Sequence, residues 1–377
     1  MITIAANFDS GNIDCLDASD PQNIRLAIKK DAGPEGFFQW FHFRLTGARD
    51  TACRLVIENA GEASYTKGWE GYRACASYDR DEWFRTDTEY KDGKLIISLT
   101  PEADSVYFAY FAPYSRERHR DLVAACQSDT RCRLEVLGET VDGEEMDLLV
   151  IGDEEPGKLK LWTIARQHPG ESMAEWWMEG FLNRILDHDD PLARSILQRG
   201  TFYVVPNMNP DGSRRGHLRN NAAGINLNRA WAQPDPETSP EVYLVEGKMT
   251  EVGVDFSLDV HGDEGLPYNF IAGADAIPNV TERQISNREA YEAALLQANP
   301  DFQREHGYPK AQPGKANMTL CSAHIASKFN CLSMTLEMPF KDNADAPDPV
   351  YGWSPERCRK LGESGLDALA AVIDTLR

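Results

Sequence analysis

The sequence predicts a two-domain protein: an antiparallel β-sandwich over residues 1–118, followed by an α/β domain over residues 119–377 with a central mixed sheet flanked by helices. The length of 377 residues suits two domains better than one. Short alternating runs separated by turn residues fill the first third of the chain, which is typical of a sandwich. Farther on, apolar runs alternate with helical patterns, which is typical of a sheet covered on both faces.

The amino-terminal part contains clear strand and turn signals. Strand-like runs cover residues 37–45 and 94–99, and Asp92-Gly93 before the second run is typical of a two-residue hairpin turn. His42 alternates with aromatic residues in the first run. We therefore interpret His42 as a cross-strand partner in the core rather than as a ligand.

The later part of the chain changes in character after a charged stretch at residues 116–135, which indicates a linker passing into a helix. Five short, largely apolar runs then predict strands at 147–152, 159–165, 201–206, 257–260 and 332–336. Three amphipathic segments predict helices at 172–188, 286–298 and 355–375. Ser354 and Pro355 suit the N-cap and the first position of the last helix.

The composition excludes several classes of partner. A net charge of −21 argues against nucleic acids and anionic membranes, because both require clusters of Lys and Arg. No apolar run approaches the roughly 20 residues of a membrane span, and the amino terminus lacks the pattern of a signal peptide. The eight cysteines include no C-x-x-C pair. We therefore predict reduced thiols and a cytoplasmic protein.

His168 and Glu171 form the first candidate metal-binding pair. They follow the predicted strand 159–165 at the turn into the helix 172–188, and ligands bind beyond the carboxyl ends of strands in open α/β sheets. Zinc takes imidazole and carboxylate ligands, and a catalytic site uses three protein ligands and a water. The pair alone is weak evidence, since an ordinary polar helix start has the same residues. A third ligand must therefore come from elsewhere.

Two further residues stand at the ends of predicted strands. His261 follows the strand 257–260 and is a natural third ligand, with Asp259 or Asp263 able to orient its ring; the alternative is a lone structural histidine. Glu337 ends the apolar run 332–336, where an unpaired carboxylate would be costly. Beside a metal it could take a proton from the bound water, and the alternative is a salt-bridged structural glutamate.

A polar segment after the strand 201–206 supplies arginines. It contains Asn209-Pro210-Asp211-Gly212, Arg219, and the run 224–231 with Asn228 and Arg229. Arginine binds carboxylates bidentately, and a second arginine could polarise a carbonyl group. Together with a metal and a carboxylate base, these residues suit metal-assisted hydrolysis of an amide in a substrate that ends in a free carboxylate.

The order of these motifs resembles the M14 metallocarboxypeptidases, and more closely their cytosolic carboxypeptidase branch. The motifs are H-x-x-E at 168–171, N-P-D-G at 209–212, L-N-R-x-W at 227–231, D-x-H-G at 259–262 and T-x-E-x-P at 335–339. Segments 39–44, 68–72 and 110–115 resemble the amino-terminal β-sandwich of that branch, so the resemblance covers nearly the whole chain. It implies a carboxypeptidase-like α/β domain.

The resemblance also implies roles for individual residues. One zinc ion per chain would have three ligands, His168, Glu171 and His261. Glu337 would be the general base and proton shuttle, and Arg219 would polarise the scissile carbonyl group. Asn228 and Arg229 would hold the terminal carboxylate of a peptide or protein substrate, which makes the enzyme an exopeptidase.

One part of the family pattern has two candidates here. The family contributes a tyrosine from a loop before the catalytic glutamate, and Tyr308 fits better than Tyr268. The same segment contains four basic residues, Arg304, Lys310, Lys315 and Lys328. A basic group in the side-chain pocket would suit removal of C-terminal Glu or Asp, as in the deglutamylating members of the branch, although each of these residues could simply be solvated.

Two other functions use the same residues. A zinc amidohydrolase acting on a small N-acyl amino acid or a cell-wall peptide would need the same ligands with a different pocket. A catalytically inactive module that binds protein C-termini would keep the fold without turnover. The ligand and base candidates are all present, which favours an enzyme.

Overall fold

The structure, a computed structural model, describes all residues from Met1 to Arg377. The amino-terminal domain contains ten strands: β1 (Thr3–Ala5), β2 (Asp14–Asp17), β3 (Ile24–Ala27), β4 (His42–Thr46), β5 (Cys53–Ile57), β6 (Cys75–Ser77), β7 (Phe84–Arg85), β8 (Asp87–Lys91), β9 (Lys94–Leu99) and β10 (Ser105–Ala109). They form two five-stranded sheets, ordered β1-β4-β10-β6-β7 and β2-β3-β5-β9-β8. Both sheets contribute buried side chains to one core, including Phe43 and Phe108 from the first and Leu55 and Ile97 from the second.

Local sequence explains several details of this domain. Asp92 and Gly93 join β8 to β9 with φ angles of 51° and 76°, as a two-residue hairpin requires. His42 is buried in the core, and its Nδ1 forms a hydrogen bond of 2.9 Å with the Ser10 hydroxyl, as expected for a structural histidine. The pair β3 and β5 is parallel, whereas the prediction was an antiparallel sandwich. Between β3 and β5 the chain forms β4 in the other sheet. It therefore returns to the sheet that contains β3, with β5 running in the same direction as β3.

The carboxyl-terminal domain is built on a seven-stranded mixed sheet. Its strands are β11 (Cys132–Glu139), β12 (Glu145–Ile151), β13 (Leu159–Ala165), β14 (Gly200–Val205), β15 (Phe256–Asp263), β16 (Phe270–Gly273) and β17 (Leu332–Pro339). Their order is β11-β12-β14-β13-β15-β17-β16. The four central strands are parallel, and the pairs at both edges are antiparallel. The predicted fold class is confirmed, and the carboxyl ends of the parallel strands share one edge of the sheet.

Eight α-helices accompany these strands: α1 (Arg116–Gln127), α2 (Met173–Ile185), α3 (Pro191–Arg199), α4 (Pro210–Arg215), α5 (Pro240–Val252), α6 (Glu282–Ala298), α7 (Cys321–Phe329) and α8 (Pro355–Val372). Helix α6 begins four residues before the predicted start at 286, because Thr281 and Gln284 form a capping box. Helices α2 and α8 pack closely at Gly180 and Gly362, where an added Cβ would lie 2.1 Å from backbone atoms of the other helix. None of these helices combines the length and the hydropathy of a membrane span.

The two domains are joined by specific contacts. Arg85 of β7 donates hydrogen bonds to the carbonyl oxygens of Phe340 and Trp353, at 2.9 and 3.0 Å. The Phe340 ring stacks on Tyr110 with 4.5 Å between centroids. The domain limits at residues 118 and 119 stay a prediction, and they fall inside α1.

Helix α1 is tied to the α/β sheet by a half-buried histidine. His119 Nδ1 lies 2.8 Å from Glu175 Oε1 on α2, and Nε2 lies 3.2 Å from Asp147 Oδ2 on β12. Burial disfavours the charged imidazolium, but the hydrogen bonds to Asp147 and Glu175 outweigh this effect and raise the pKa of His119 to about 9. The charged ring therefore binds α1 to both elements at neutral pH.

Replacement of His119 by Gln is expected to flatten the pH dependence of stability. The pKa of His119 is higher in the folded protein than in the unfolded chain, so its protonation stabilises the folded state. This contribution of up to about 3 kcal/mol is fully present below about pH 6.5 and is lost as the pH rises through 9. Urea unfolding of both proteins at pH 6.5 and pH 9.5 measures the difference. Equal losses of unfolding free energy in the two proteins would contradict the assignment.

Candidate active site

Four predicted site residues meet at the carboxyl edge of the parallel strands. His168 and Glu171 lie in the turn between β13 and α2, while His261 and Glu337 are on the neighbouring strands β15 and β17. His261 and Glu337 are directly opposite each other in the parallel register. All four side chains are buried. The sheet topology therefore brings together residues that are up to 169 positions apart in the sequence.

The three predicted metal ligands form a compact cluster. Their candidate ligand atoms all lie within 4.8 Å of one another. His168 Nδ1 is 2.7 Å from Glu171 Oε1, and His261 Nδ1 is 2.7 Å from Glu171 Oε2. The two Nδ1 atoms are 3.2 Å apart. Glu171 also accepts a hydrogen bond from the Gly262 backbone N–H at 3.1 Å.

The far side of each imidazole has its own partner. His261 Nε2 lies 2.9 Å from Asp259 Oδ2, and His168 Nε2 lies 3.0 Å from Asn226 Oδ1. A proton on each Nε2 would satisfy these oxygens and leave the Nδ1 lone pairs directed at Glu171. Of the two aspartates proposed to orient His261, Asp259 makes the contact. Asn226 was not predicted, although it follows Gly224 in the run from which Asn228 was chosen.

The charge balance of the cluster suits a cation. Burial, followed by the nearby Arg219 guanidinium, lowers the pKa of His168 to about 4, so that ring is neutral near pH 7. Burial opposes the charge on Glu171, but the two histidines hold the pKa of its carboxyl group well below its ordinary value. Two imidazoles and one carboxylate are a donor set that catalytic zinc sites use. The residues present therefore fit a zinc ion.

Glu337 presents a free carboxylate oxygen beside this cluster. Its Oε1 accepts a hydrogen bond from the Tyr308 hydroxyl at 3.0 Å, while Oε2 is buried and has no partner. Burial, with the charges of Glu171 and Asp263, raises the pKa of Glu337 well above its ordinary value, against the opposing effect of His261. A carboxylate in this state can accept and return a proton.

Tyr308 is the tyrosine that the structure brings to Glu337. Its hydroxyl oxygen also lies 2.8 Å from Asp263 Oδ2, so the two carboxylates share one hydroxyl proton, and its ring packs edge-on against Phe270 at 4.9 Å. The residue remains 46% exposed, because it lies in the irregular segment between α6 and α7. Tyr268, the rival candidate, instead stacks on His306 at 4.1 Å.

Neither Arg219, predicted to polarise the carbonyl group, nor Arg229, predicted to bind the substrate, forms an ion pair. Arg219 makes no ion pair or side-chain hydrogen bond, and Arg229 donates only to the carbonyl oxygen of Asn228, at 2.7 Å. Burial and the nearby Arg219 charge lower the pKa of Arg229. Asn228 Nδ2 lies 3.4 Å from His261 Nε2, so this residue borders the ligand cluster.

The four basic residues of the segment before Glu337 do not contact the cluster. Lys328 pairs with Glu246 on α5, and Arg304 donates to Glu292 on α6 at 3.1 Å. Lys310 and Lys315 are exposed and make no ion pair. None of the four hydrogen-bonds to a predicted site residue.

Residues of the β-sandwich also border the site. The rings of Phe37 and Tyr65 lie against the Arg219 guanidinium, and Asp31 binds the backbone around Arg219. These three residues were not predicted. Nothing in the local sequence distinguishes them from other polar and aromatic residues of the sandwich.

Comparison with known families agrees with this geometry. Residues 121–343 match the zinc carboxypeptidase model of the peptidase M14 family. The chain belongs to the M14 zinc carboxypeptidase family. Residues 4–111 match the cytosolic carboxypeptidase N-terminal domain. The predicted family and enzyme class are therefore confirmed, and the family implies zinc.

Individual relatives place the chain in the M14 family over its full length. It superposes on a metallo-carboxypeptidase from Burkholderia cenocepacia with a TM-score of 0.97, 48% identity and 100% coverage of both chains. A metallo-carboxypeptidase from Pseudomonas aeruginosa, solved in complex with (2-guanidinoethylmercapto)succinic acid, gives a TM-score of 0.97 at 46% identity, again with 100% coverage of both. Mouse cytosolic carboxypeptidase 1 is 28% identical over 65% of this chain, which spans only 24% of that protein.

Proposed function

We propose that this M14 enzyme removes single residues from the carboxyl termini of peptides or proteins in the cytoplasm, with one zinc ion per chain and a preference for C-terminal Glu or Asp. The observation that carries the proposal is the convergence of three ligand atoms within 4.8 Å beside the unpartnered Oε2 of Glu337. We assign the zinc to His168, Glu171 and His261. When bound, zinc would supply a Lewis acid that lowers the pKa of a coordinated water towards ~7.

The residues around the cluster have different roles in the proposed reaction. Glu337 removes a proton from the attacking water and later delivers it to the leaving amine, using the oxygen that has no partner in the structure. Arg219 stabilises the oxyanion that develops on the scissile carbonyl group, because its guanidinium is not neutralised by a carboxylate. Tyr308, held beside Glu337 by its hydroxyl, covers the site from the irregular segment.

Binding of the free carboxyl terminus is assigned to Asn228 and Arg229. Arg229 is exposed and has no ion pair, so its guanidinium can bind a carboxylate bidentately. Asn228 is held in place because its Oδ1 accepts a hydrogen bond from the Cys321 backbone N–H at 2.9 Å. A substrate bound in this way can lose only its last residue.

Charge supports the acidic preference. The protein has a net charge of −21, yet neither arginine at this site forms an ion pair, so both guanidinium groups are free to bind a carboxylate. A C-terminal Asp or Glu presents two carboxylates, and the second one would also be attracted to these guanidinium groups.

A panel of peptides that differ only in the last residue tests the proposal. We expect chelator-sensitive release of one residue at a time, with kcat/KM for C-terminal Glu or Asp at least about 10-fold above that for Ala, Leu or Lys, because one charge-assisted contact is worth about 1.5–3 kcal/mol. Zinc content of the purified protein should be one per chain. An amidated C-terminus is the matched control and should abolish cleavage.

Each alternative gives a distinct result in this panel. Efficient cleavage of neutral or basic C-termini would reject the acidic preference but keep the exopeptidase. Hydrolysis of N-acyl amino acids without peptide cleavage would favour an amidohydrolase. Stoichiometric zinc without any hydrolysis would favour a module that binds C-termini.

A further inference from the structure

Several residues of the β-sandwich contact the segment that carries Arg219. We propose that Phe37 and Tyr65 of the sandwich form an aromatic slot that positions the Arg219 guanidinium, and that Asp31 fixes the backbone beneath it. The three are positioning residues, since they act through Arg219. The inference rests on the proposed role of Arg219.

The guanidinium lies over two aromatic rings. Its central carbon is 5.7 Å from the centre of the Phe37 ring and 5.6 Å from the centre of the Tyr65 ring, both within the range of cation–π attraction. Both rings are partly buried, as is Arg219. The Tyr65 hydroxyl makes no hydrogen bond, and Tyr65 contacts the guanidinium through its ring. With no hydrogen bond of its own, the guanidinium is held by these two faces.

Asp31 organises the backbone at the base of this arginine. Its buried carboxylate accepts hydrogen bonds from three successive backbone N–H groups, those of Leu218 at 2.7 Å, Arg219 at 2.7 Å and Asn220 at 3.0 Å. Three donors on one carboxylate define the orientation of the segment closely. The Asn220 side chain adds a bond to the Ala32 carbonyl oxygen at 3.1 Å.

Further contacts hold both ends of the same segment against the sandwich. Asn12 donates to the carbonyl oxygen of Gly216 at 2.7 Å, before Arg219. After it, Gly224 faces Gly33 so closely that a Cβ on either would lie 2.4 to 2.7 Å from the other glycine. The segment is thus fixed at its start, at Arg219 and at its end by residues of the sandwich.

Chemical rescue of Arg219→Ala distinguishes positioning from general support of the fold. We expect this variant to lose about 10²–10³-fold in kcat/KM, and millimolar guanidinium chloride to restore part of kcat in a saturable way. Removing both rings as well (Phe37→Leu with Tyr65→Leu) should weaken the apparent affinity for guanidinium by about 10-fold. Adding Tyr65→Phe instead, which keeps the ring, should leave the rescue intact. Sodium chloride at equal ionic strength is the salt control.

The same ring substitutions in the presence of Arg219 give a second measurement. We expect Phe37→Leu with Tyr65→Leu to lower kcat by about 10-fold with little change in KM or zinc content, because the ground-state contacts of the substrate remain. Unchanged guanidinium affinity and unchanged kcat would overturn the aromatic slot while leaving the proposed function intact. Full activity of Arg219→Ala would instead refute the role assigned to Arg219.

Discussion

Glu337→Gln is expected to lower kcat/KM by about 10³-fold while zinc remains bound, because glutamine has the same shape but cannot accept a proton from water. Glu337 is not one of the three clustered ligands, so the metal should stay stoichiometric. Glutamine can still accept the Tyr308 hydroxyl, which keeps the local packing. Steady-state kinetics on a cleavable peptide and metal analysis of the same sample measure both quantities.

Glu154→Gln is the matched control for that experiment. Glu154 also accepts a tyrosine hydroxyl, from Tyr203 at 2.8 Å, but it follows β12 and lies at the opposite edge of the sheet. We expect it to keep wild-type kinetics. If Glu337→Gln retained activity while Glu154→Gln behaved as expected, Glu337 could not be the general base.

Arg166→Met is expected to lower the free energy of unfolding by about 3–5 kcal/mol, since it removes one partner of a buried ion pair. Arg166 and Glu175 are both fully buried, and they form an ion pair. The same guanidinium donates to the carbonyl oxygens of Pro169 at 2.8 Å and Tyr114 at 3.0 Å. Because Pro169 lies between His168 and Glu171, zinc affinity should also fall by about 10–100-fold.

A double variant separates the charge from the packing. In Arg166→Met, His119 is the one charged partner left to the buried Glu175 carboxylate. Adding Glu175→Gln removes this poorly compensated charge but keeps an oxygen for His119, so stability should partly recover. Zinc affinity should stay low, because the bond to Pro169 is still missing. Chemical unfolding and zinc competition measure the two effects. A double variant less stable than Arg166→Met would argue against the buried pair as the cause.

The sequence was sufficient for the parts of the site that are encoded in short ordered patterns. His168 and Glu171 were predictable because a strand-to-helix turn is visible around them, and His261 and Glu337 because each ends an apolar run. The carboxyl ends of parallel strands meet at one edge of a sheet, so the sequence alone predicts that the four residues lie together. Tyr308 was preferred over Tyr268 on the family pattern, and it is the tyrosine that contacts Glu337.

The parts that were not predicted depend on contacts between distant segments. The Asp31 carboxylate binds the backbone N–H of Arg219, 188 residues away in the sequence. Neither the hydrophobic periodicity nor the spacing of motifs predicts such a contact. Phe37 resembles any strand aromatic until the position of Arg219 is known. The parallel pairing of β3 and β5 was missed for the same reason, because it depends on the intervening strand joining the other sheet.

The long-range contacts of Asp31 have a consequence for biosynthesis. The candidate site combines Asp31 from the first tenth of the chain with Glu337 from the last ninth. During translation, the amino-terminal part emerges from the ribosome long before the strand that bears Glu337. A nascent chain or a proteolytic fragment that lacks either segment cannot assemble the full constellation, so the proposed peptide hydrolysis can begin only after the strand that bears Glu337 has been synthesised.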